Sequence, residues 1–169
     1  MAEANTMRTA RLLLRRFEPG DLAAMHAILS DPEAMRYWST PPHAALSDTQ
    51  EWLDETLEAV AAGQSDDFAV TSQGAVIGKA GLWRGNEIGM IFAREVWGNG
   101  LVHEALAAVI DRAVRSGVDP IVAEVDPRNE RSLRRLQALG FVRTGSAERT
   151  FCVGGVWSGS VYLARVSCE

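Results

Sequence analysis

The feature that most restricts this chain is a change of hydrophobic period at a Gly-x-Gly hinge. Phe68–Thr71, Val76–Trp83 and Glu87–Ala93 read as short strands, separated by the turn-forming Gln73-Gly74 and Arg84-Gly85-Asn86. Trp97-Gly98-Asn99-Gly100 follows. From Leu101 the apolar residues return at helical spacing: Leu101, Ala105, Ala108 and Val109 on one stripe, with Val102, Leu106 and Ala113 beside it. An antiparallel meander that runs through a glycine turn into a helix commits the chain to a mixed α/β sheet.

The flanking segments extend that pattern. Arg11–Phe17 predicts an opening strand, and Asp21 an N-cap for a helix carrying Leu22, Met25, Ile28 and Leu29. A short helical piece is expected after Asp31-Pro32, stopped by Ser39–Pro42. Ser47-Asp48-Thr49 starts a longer helix with Trp52, Leu53, Thr56, Leu57 and Val60 on one face, and Gly63 ends it. Beyond the hinge helix come a strand at Ile121–Val125, a helix at Glu130–Leu139 closed by Gly140, and strands near Phe141–Val153 and Val156–Val166. At 169 residues, with no linker or repeat, one domain over 1–169 is expected, with an ordered core at about 8–167.

Composition removes several function classes. An apolar fraction of 47% excludes disorder as the main state. Seventeen Lys+Arg against 22 Asp+Glu leaves a charge of -5, which argues against nucleic-acid or membrane-surface partners, both polyanionic. No apolar run approaches the ~18 residues of a spanning helix, and Met1–Ala10 lacks the basic and apolar regions of a signal peptide. Cys152 and Cys168 form neither a disulfide framework nor a metal-ligand spacing, so a cytoplasmic protein with reduced thiols and no metal is expected.

The hinge itself carries chemistry. Glycines permit positive φ and close approach of a ligand, and a helix's first turn offers unpaired N–H groups at the positive end of its dipole. Gly98 and Gly100 thus suit an anion such as a pyrophosphate, or they serve only a tight strand-to-helix turn. A second segment bears on the choice: Val125-Asp126-Pro127-Arg128-Asn129-Glu130-Arg131-Ser132, then Leu139-Gly140-Phe141. Asn129 is placed to cap the helix and Ser132 lies in its first turn.

These two segments together resemble the GNAT superfamily of acyl-CoA N-acyltransferases, in the branch of the ribosomal-protein N-terminal acetyltransferases. The branch pattern Trp-Gly-x-Gly-x-Ala-x-Glu-Ala is met by Trp97, Gly98, Gly100, Glu104 and Ala105; Asn-x-x-Ser by Asn129 and Ser132; Leu-Gly-Phe by Leu139, Gly140 and Phe141. Arg11–Arg15, Asp21 and Asp31–Met35 also match, so the likeness spans almost the whole chain. Three positions depart from it: Val102 stands where Ala or Gly is usual, His103 where Thr is usual, and Gly159 where Asp is frequent.

The resemblance implies a mostly antiparallel sheet of six to seven strands, splayed at the cofactor site and flanked by about four helices. It implies acetyl transfer from acetyl-CoA to a primary amine by direct attack, foremost a protein N-terminal amine. The alternatives are a small-molecule amine (amino acid, polyamine or antibiotic) and a catalytically silent acyl-CoA-binding sensor. For the cofactor it points to backbone groups of Met90, Ile91 and Phe92, to the Trp97, Gly98, Asn99, Gly100, Leu101, Val102 and His103 cradle, to Asn129, and to Arg134 for a phosphate. Glu87 is the candidate to take the amine's proton, Ser132 to protonate the leaving thiolate, and Asn129 to orient the pantetheine. Each has a plainer reading beside it: a solvated strand carboxylate, a first-turn hydroxyl, a helix cap. Arg128, Arg131, Arg134 and Arg135 form either a phosphate site or a solvated face. The acidic residues from Asp48 to Asp67 form either an amine-attracting rim or an exposed helix face. His43 is a candidate for the acceptor pocket, and Trp38, Trp52 and Trp83 for its aromatic walls. A monomer or homodimer is expected.

Overall fold

The computed structural model describes residues 5–167. Eight strands form one sheet: β1 (Thr6–Arg8), β2 (Leu13–Arg15), β3 (Asp66–Ser72), β4 (Ala75–Trp83), β5 (Glu87–Phe92), β6 (Ile121–Val125), β7 (Val142–Val153) and β8 (Val156–Arg165). Their order is β1-β2-β3-β4-β5-β6-β8-β7. Every neighbouring pair is antiparallel except β5 and β6. Four helices cover it: α1 (Leu22–Leu29), α2 (Leu46–Ala61), α3 (Leu101–Arg115) and α4 (Glu130–Ala138).

Period-2 alternation sorts the strand side chains into two cores. Phe68, Val70, Ala80, Leu82, Ile88 and Phe92 pack with Leu106, Val109 and Ile110 of α3 and Leu136 of α4. Ala69 and Ile91, on the opposite face, pack with Met25, Ile28 and Leu29 of α1 and Leu53 of α2. Burial of a side chain such as Leu106 stabilises the fold by about 1.5–3 kcal/mol, so α3 and its preceding turn are held firmly against the sheet.

Three expectations change. The sheet has eight strands rather than six or seven, because Thr6–Arg8 pairs with Leu13–Arg15; three residues carry no readable period of their own. Pro32 is followed by turns rather than a helix, the Met35 N–H bonding to the Asp31 carbonyl at 3.0 Å and Trp38 only back to Met35. Asp21 makes no cap bond to α1. Its buried carboxylate instead accepts both Nη groups of Arg15, at 2.9 and 2.8 Å, and the Glu18 N–H at 2.8 Å.

Candidate active site

The site begins where the sheet opens. β5 and β6 share one registered pair, Glu87 with Val122, supported by the Val122 N–H on the Asn86 carbonyl at 2.9 Å. Among the described residues, the β6-facing edge of β5 has no strand partner from Ile88 to Phe92. A cavity of 380 Å³ lies on one side of this opening and one of 550 Å³ on the other. Tyr37, Trp38, Met90, Asn129 and Ser132 line both, so the two meet at the start of α4.

The smaller cavity is basic: Arg36, Arg128, Arg131, Arg134 and Arg135 line it against Glu33 and Glu130. Met90, Ile91 and Phe92 form its strand wall, and Trp97 and Val102 bracket the glycine turn beside it. The Trp97 indole N–H donates to the Phe92 carbonyl at 3.1 Å, so that carbonyl already has a partner, while the Arg131 guanidinium sits 4.9 Å over the indole ring. Gly98 and Gly100 take φ of 82° and 84°, the left-handed region. Arg11 pins this turn by donating to the Asn99 carbonyl at 2.9 Å and to Glu104 at 2.7 Å. A hydrogen bond from Thr9, with others from Arg11, holds the Glu104 carboxyl below its ordinary range. Gly98, Asn99, Gly100, Leu101 and His103 form the turn and first helical residues rather than the cavity wall. The Leu101 N–H is taken by Asn99 Oδ1 at 3.2 Å, and its side chain is buried in the core. Val102 and His103 precede the first hydrogen bond of α3, which is Glu104 N–H to the Gly100 carbonyl, so their N–H groups have no acceptor within the helix. The Val102 side chain is buried on the core side, which is why its size does not close the turn, and the His103 ring is exposed. Arg134 is 73% exposed and paired with Glu130 at 3.2 Å. A basic cavity, a free strand edge and two unpaired helix N–H groups fit a long anion carrying amides and phosphates.

The larger cavity is aromatic and acidic. Trp38, Trp52 and Trp83 all line it, with Tyr37 and Phe151. Trp52 also packs edge-on to Phe17, ring centres 5.5 Å apart. Glu87 lies here, half-buried; burial, then the charge of Glu124, pushes its carboxyl above the ordinary range, against the pull of Arg84 and Lys79. Asp67 and Lys79 form a buried pair at 3.0 Å in the floor. Gly81 makes room for it, since a Cβ there would stand 2.5 Å from the Asp67 Cα and Oδ1.

The acidic stretch is dispersed by the fold. Only Glu55 and Asp67 line the cavity. Asp48 accepts the Ala44 and Ala45 N–H groups at 2.9 Å each, Asp54 accepts from Gln50, and Asp66 binds Arg16 and Arg112. His43 bonds Thr49 at 2.8 Å and does not reach the cavity. Cys152 is exposed, and Cys168 lies outside the described residues.

Asn129 both caps and faces the opening: its Oδ1 accepts the Ser132 N–H at 3.2 Å while both residues line the two cavities. Gly159 explains the departure at its position. β7 shifts register between Ala147 and Phe151, and a Cβ on Gly159 would meet the Ala147 carbonyl at 2.6 Å; an aspartate does not fit this backbone. The same bulge brings Thr150 to Ser160 at 2.6 Å, and Ser160 donates to Glu124. Sequence reasoning missed Glu124 and Tyr37. Alternating Ser158 and Ser160 in β8 were the available signal for Glu124, legible only once β8 is known to pair with β6.

A splayed sheet with a glycine-helix turn on one strand end and a capped Asn-x-x-Ser helix on the other defines an N-acetyltransferase. Residues 11–142 match the model of the acetyltransferase (GNAT) domain, and the chain belongs to that family. It is 31% identical over 149 residues to a Bacillus licheniformis protein described as the uncharacterized N-acetyltransferase p20, covering 83% of this chain and 84% of that one. Its fold is similar to that of the ribosomal-protein-S5-alanine acetyltransferase from Vibrio fischeri, with a TM-score of 0.82 at 20% identity over 97% of both chains. It is similar also to the spermidine N-acetyltransferase from Vibrio cholerae, solved with CoA and spermine, with a TM-score of 0.81 at 21% identity over 94% and 96%. Among the described residues no helix is long and apolar enough to cross a membrane, and no group of three His, Cys, Asp or Glu is placed to hold a metal ion.

Proposed function

We propose that this chain, acting as one domain in a cytoplasmic setting, transfers an acetyl group from acetyl-CoA to a primary amine, foremost a protein N-terminal amine. The observation that carries this is the meeting of a basic cavity with an acidic, aromatic one at Asn129 and Ser132. Acetyl-CoA supplies the activated acyl group as a thioester. The free edge offers the backbone groups of Met90 and the N–H of Phe92 to a pantetheine chain, whereas the Ile91 N–H and carbonyl face Lys79 and Gly78 of β4. The N–H groups of Val102 and His103, with Arg131 and Arg134, offer charge to its phosphates. Asn129, its Oδ1 held by the Ser132 N–H, is left with its amide N–H groups to orient the chain.

An amine attacks only when neutral, and an α-amine has a pKa near 8. Glu87, on the amine side of the opening, accepts that proton directly or through one water. Ser132, on the boundary between the cavities, donates its hydroxyl proton to the leaving sulfur. N–H groups of the free β5 edge stabilise the oxygen that gains charge.

A small polar amine is the second reading, favoured by the larger cavity: 550 Å³ lies within the size range of small-molecule sites. A free-thiol release assay over N-terminal peptides, amino acids, polyamines and aminoglycosides separates the readings. Turnover with N-terminal peptides supports the first and turnover confined to small amines the second. Binding of acetyl-CoA without release of CoA to any amine would leave a silent sensor.

A further inference from the structure

We propose that Glu124 is a positioning residue for Glu87. It is oriented by a chain of two hydroxyls, Thr150 to Ser160 to Glu124, so that two carboxylates receive the acceptor ammonium from the two lips of the sheet opening. The inference rests on the acetyl-transfer reading above, but its physical core is a coupling between two carboxylates.

The hydroxyl chain has a direction. Ser160 is 1% exposed and gives its one proton to Glu124 Oε1, because an ionised carboxylate only accepts. Its 2.6 Å contact with Thr150 therefore needs Thr150 as donor, which leaves only the longer 3.3 Å contact from Thr150 to the Ser158 carbonyl. The bulge in β7 is what places Thr150 there, and Gly159 is what lets the bulge approach. Thr150 and Glu124 are exposed and Ser160 is buried between them, so the chain runs from the surface through one buried hydroxyl to a carboxylate at the cavity.

The strands decide what Glu124 faces. Ile121, Ala123 and Val125 of β6 point into the core shared with α3 and α4, so Glu124 points to the other side, where the larger cavity opens. Glu87 lines that cavity from β5, on the strand that pairs with β6 only at this end. Other charged groups face Glu87 from each packed element: Lys79 on β4, Arg84 in the β4–β5 turn, Asp67 on β3, Glu55 on α2 and Asp126 after β6. Asp67 is engaged by Lys79, and Asp126 by Arg128. After burial, Glu124 is the charge among these that pushes the Glu87 carboxyl up, and the two line the same cavity.

Such a pair does two things for one reaction. Two carboxylates attract the protonated amine more strongly than one. The second also makes the first a better proton acceptor, because like charges in one site resist simultaneous ionisation. The proton moves from the amine nitrogen to Glu87 as that nitrogen becomes the nucleophile; Glu124 acts on this step only through Glu87.

The test is a ¹³C-carboxyl NMR titration of Glu87 in the full chain, run beside a pH profile of kcat/KM for an amine that is turned over. Glu124→Gln keeps an acceptor for Ser160 but removes the charge. It should move the Glu87 midpoint and the acid limb of kcat/KM to lower pH, and lower kcat/KM at least tenfold, with acetyl-CoA binding unchanged. Ser160→Ala keeps the charge but frees it, so the midpoint should move in the same direction by less. An unmoved Glu87 midpoint in Glu124→Gln overturns the coupling. A moved midpoint with an unmoved acid limb or unchanged kcat/KM overturns the role in catalysis. If no amine is turned over by the wild type, the acetyl-transfer reading fails while the titration still judges the pair.

Discussion

Gly100→Asp and Gly100→Asn together isolate what the glycine turn does. The two side chains have nearly the same shape, and Asn and Asp tolerate the left-handed region better than other residues. At φ 84° each should cost about 1–2 kcal/mol relative to glycine. A domain of this size loses about 2–4 °C of Tm per kcal/mol, so both variants should melt roughly 2–8 °C below wild type. Without ligand, the Asp variant should be the more stable of the two by about 0.3–1 kcal/mol, because its charge faces the positive end of α3. Arg11 strengthens that difference, with its Nη2 3.2 Å from where the new Cβ would stand. With acetyl-CoA at ~100 times its wild-type Kd, a ligand of the folded state adds about 2.7 kcal/mol, or roughly 5–11 °C. A carboxylate ~8 Å from one phosphate charge costs about 2 kcal/mol at an effective dielectric of ~20, a loss of about thirtyfold in affinity. The Asp variant should then gain only about 2–3 °C from the same ligand, while the Asn variant keeps most of the wild-type gain. Differential scanning fluorimetry at several acetyl-CoA concentrations reads this directly. Equal ligand shifts in the two variants would refute the assignment of this turn to phosphate.

Four further outcomes rest on the same geometry. Ser132→Ala should lower kcat by about 10- to 1000-fold and leave acetyl-CoA binding nearly unchanged, because the hydroxyl matters once the thiolate forms; stopped turnover with altered binding would make Ser132 a binding residue instead. Burial and the charge of Glu124 raise the folded-state pKa of Glu87, so the rate should fall as pH drops through a midpoint above the ordinary carboxylate range, and Glu87→Gln should abolish that limb. The same shift means that the ionised form is penalised in the fold: Glu87→Gln should raise Tm at pH 7, and the gain should vanish below about pH 4, where the unfolded carboxyl is protonated too. Glu55→Gln should raise KM for a cationic amine in a way that fades with salt, whereas Asp54→Asn with Glu58→Gln should not, because only Glu55 of these lines the cavity; equal effects would return the rim to a diffuse field.

Elements whose signals are local are legible in the order of residues. The hinge at Gly98 and Gly100, the strand Ile121–Val125, the Asn129 cap and the closure of α4 at Gly140 all depend on backbone freedom or on neighbours within one turn, and residue types record these directly. The family follows from the same local motifs at their spacing. Tertiary structure alone decided what depends on distant strands coming together. It made Thr6–Arg8 a strand by pairing it with β2, and took Asp21 from a cap to an ion pair with Arg15. It sent Asp66 to Arg112 and Asp67 to Lys79, so that a run of acidic residues contributes only Glu55 and Asp67 to the larger cavity. It also brought Ser160, 36 positions away in the chain, to Glu124, through a bulge that only Gly159 admits. Charges and hydroxyls act through space, and chain order does not say which of them will share it.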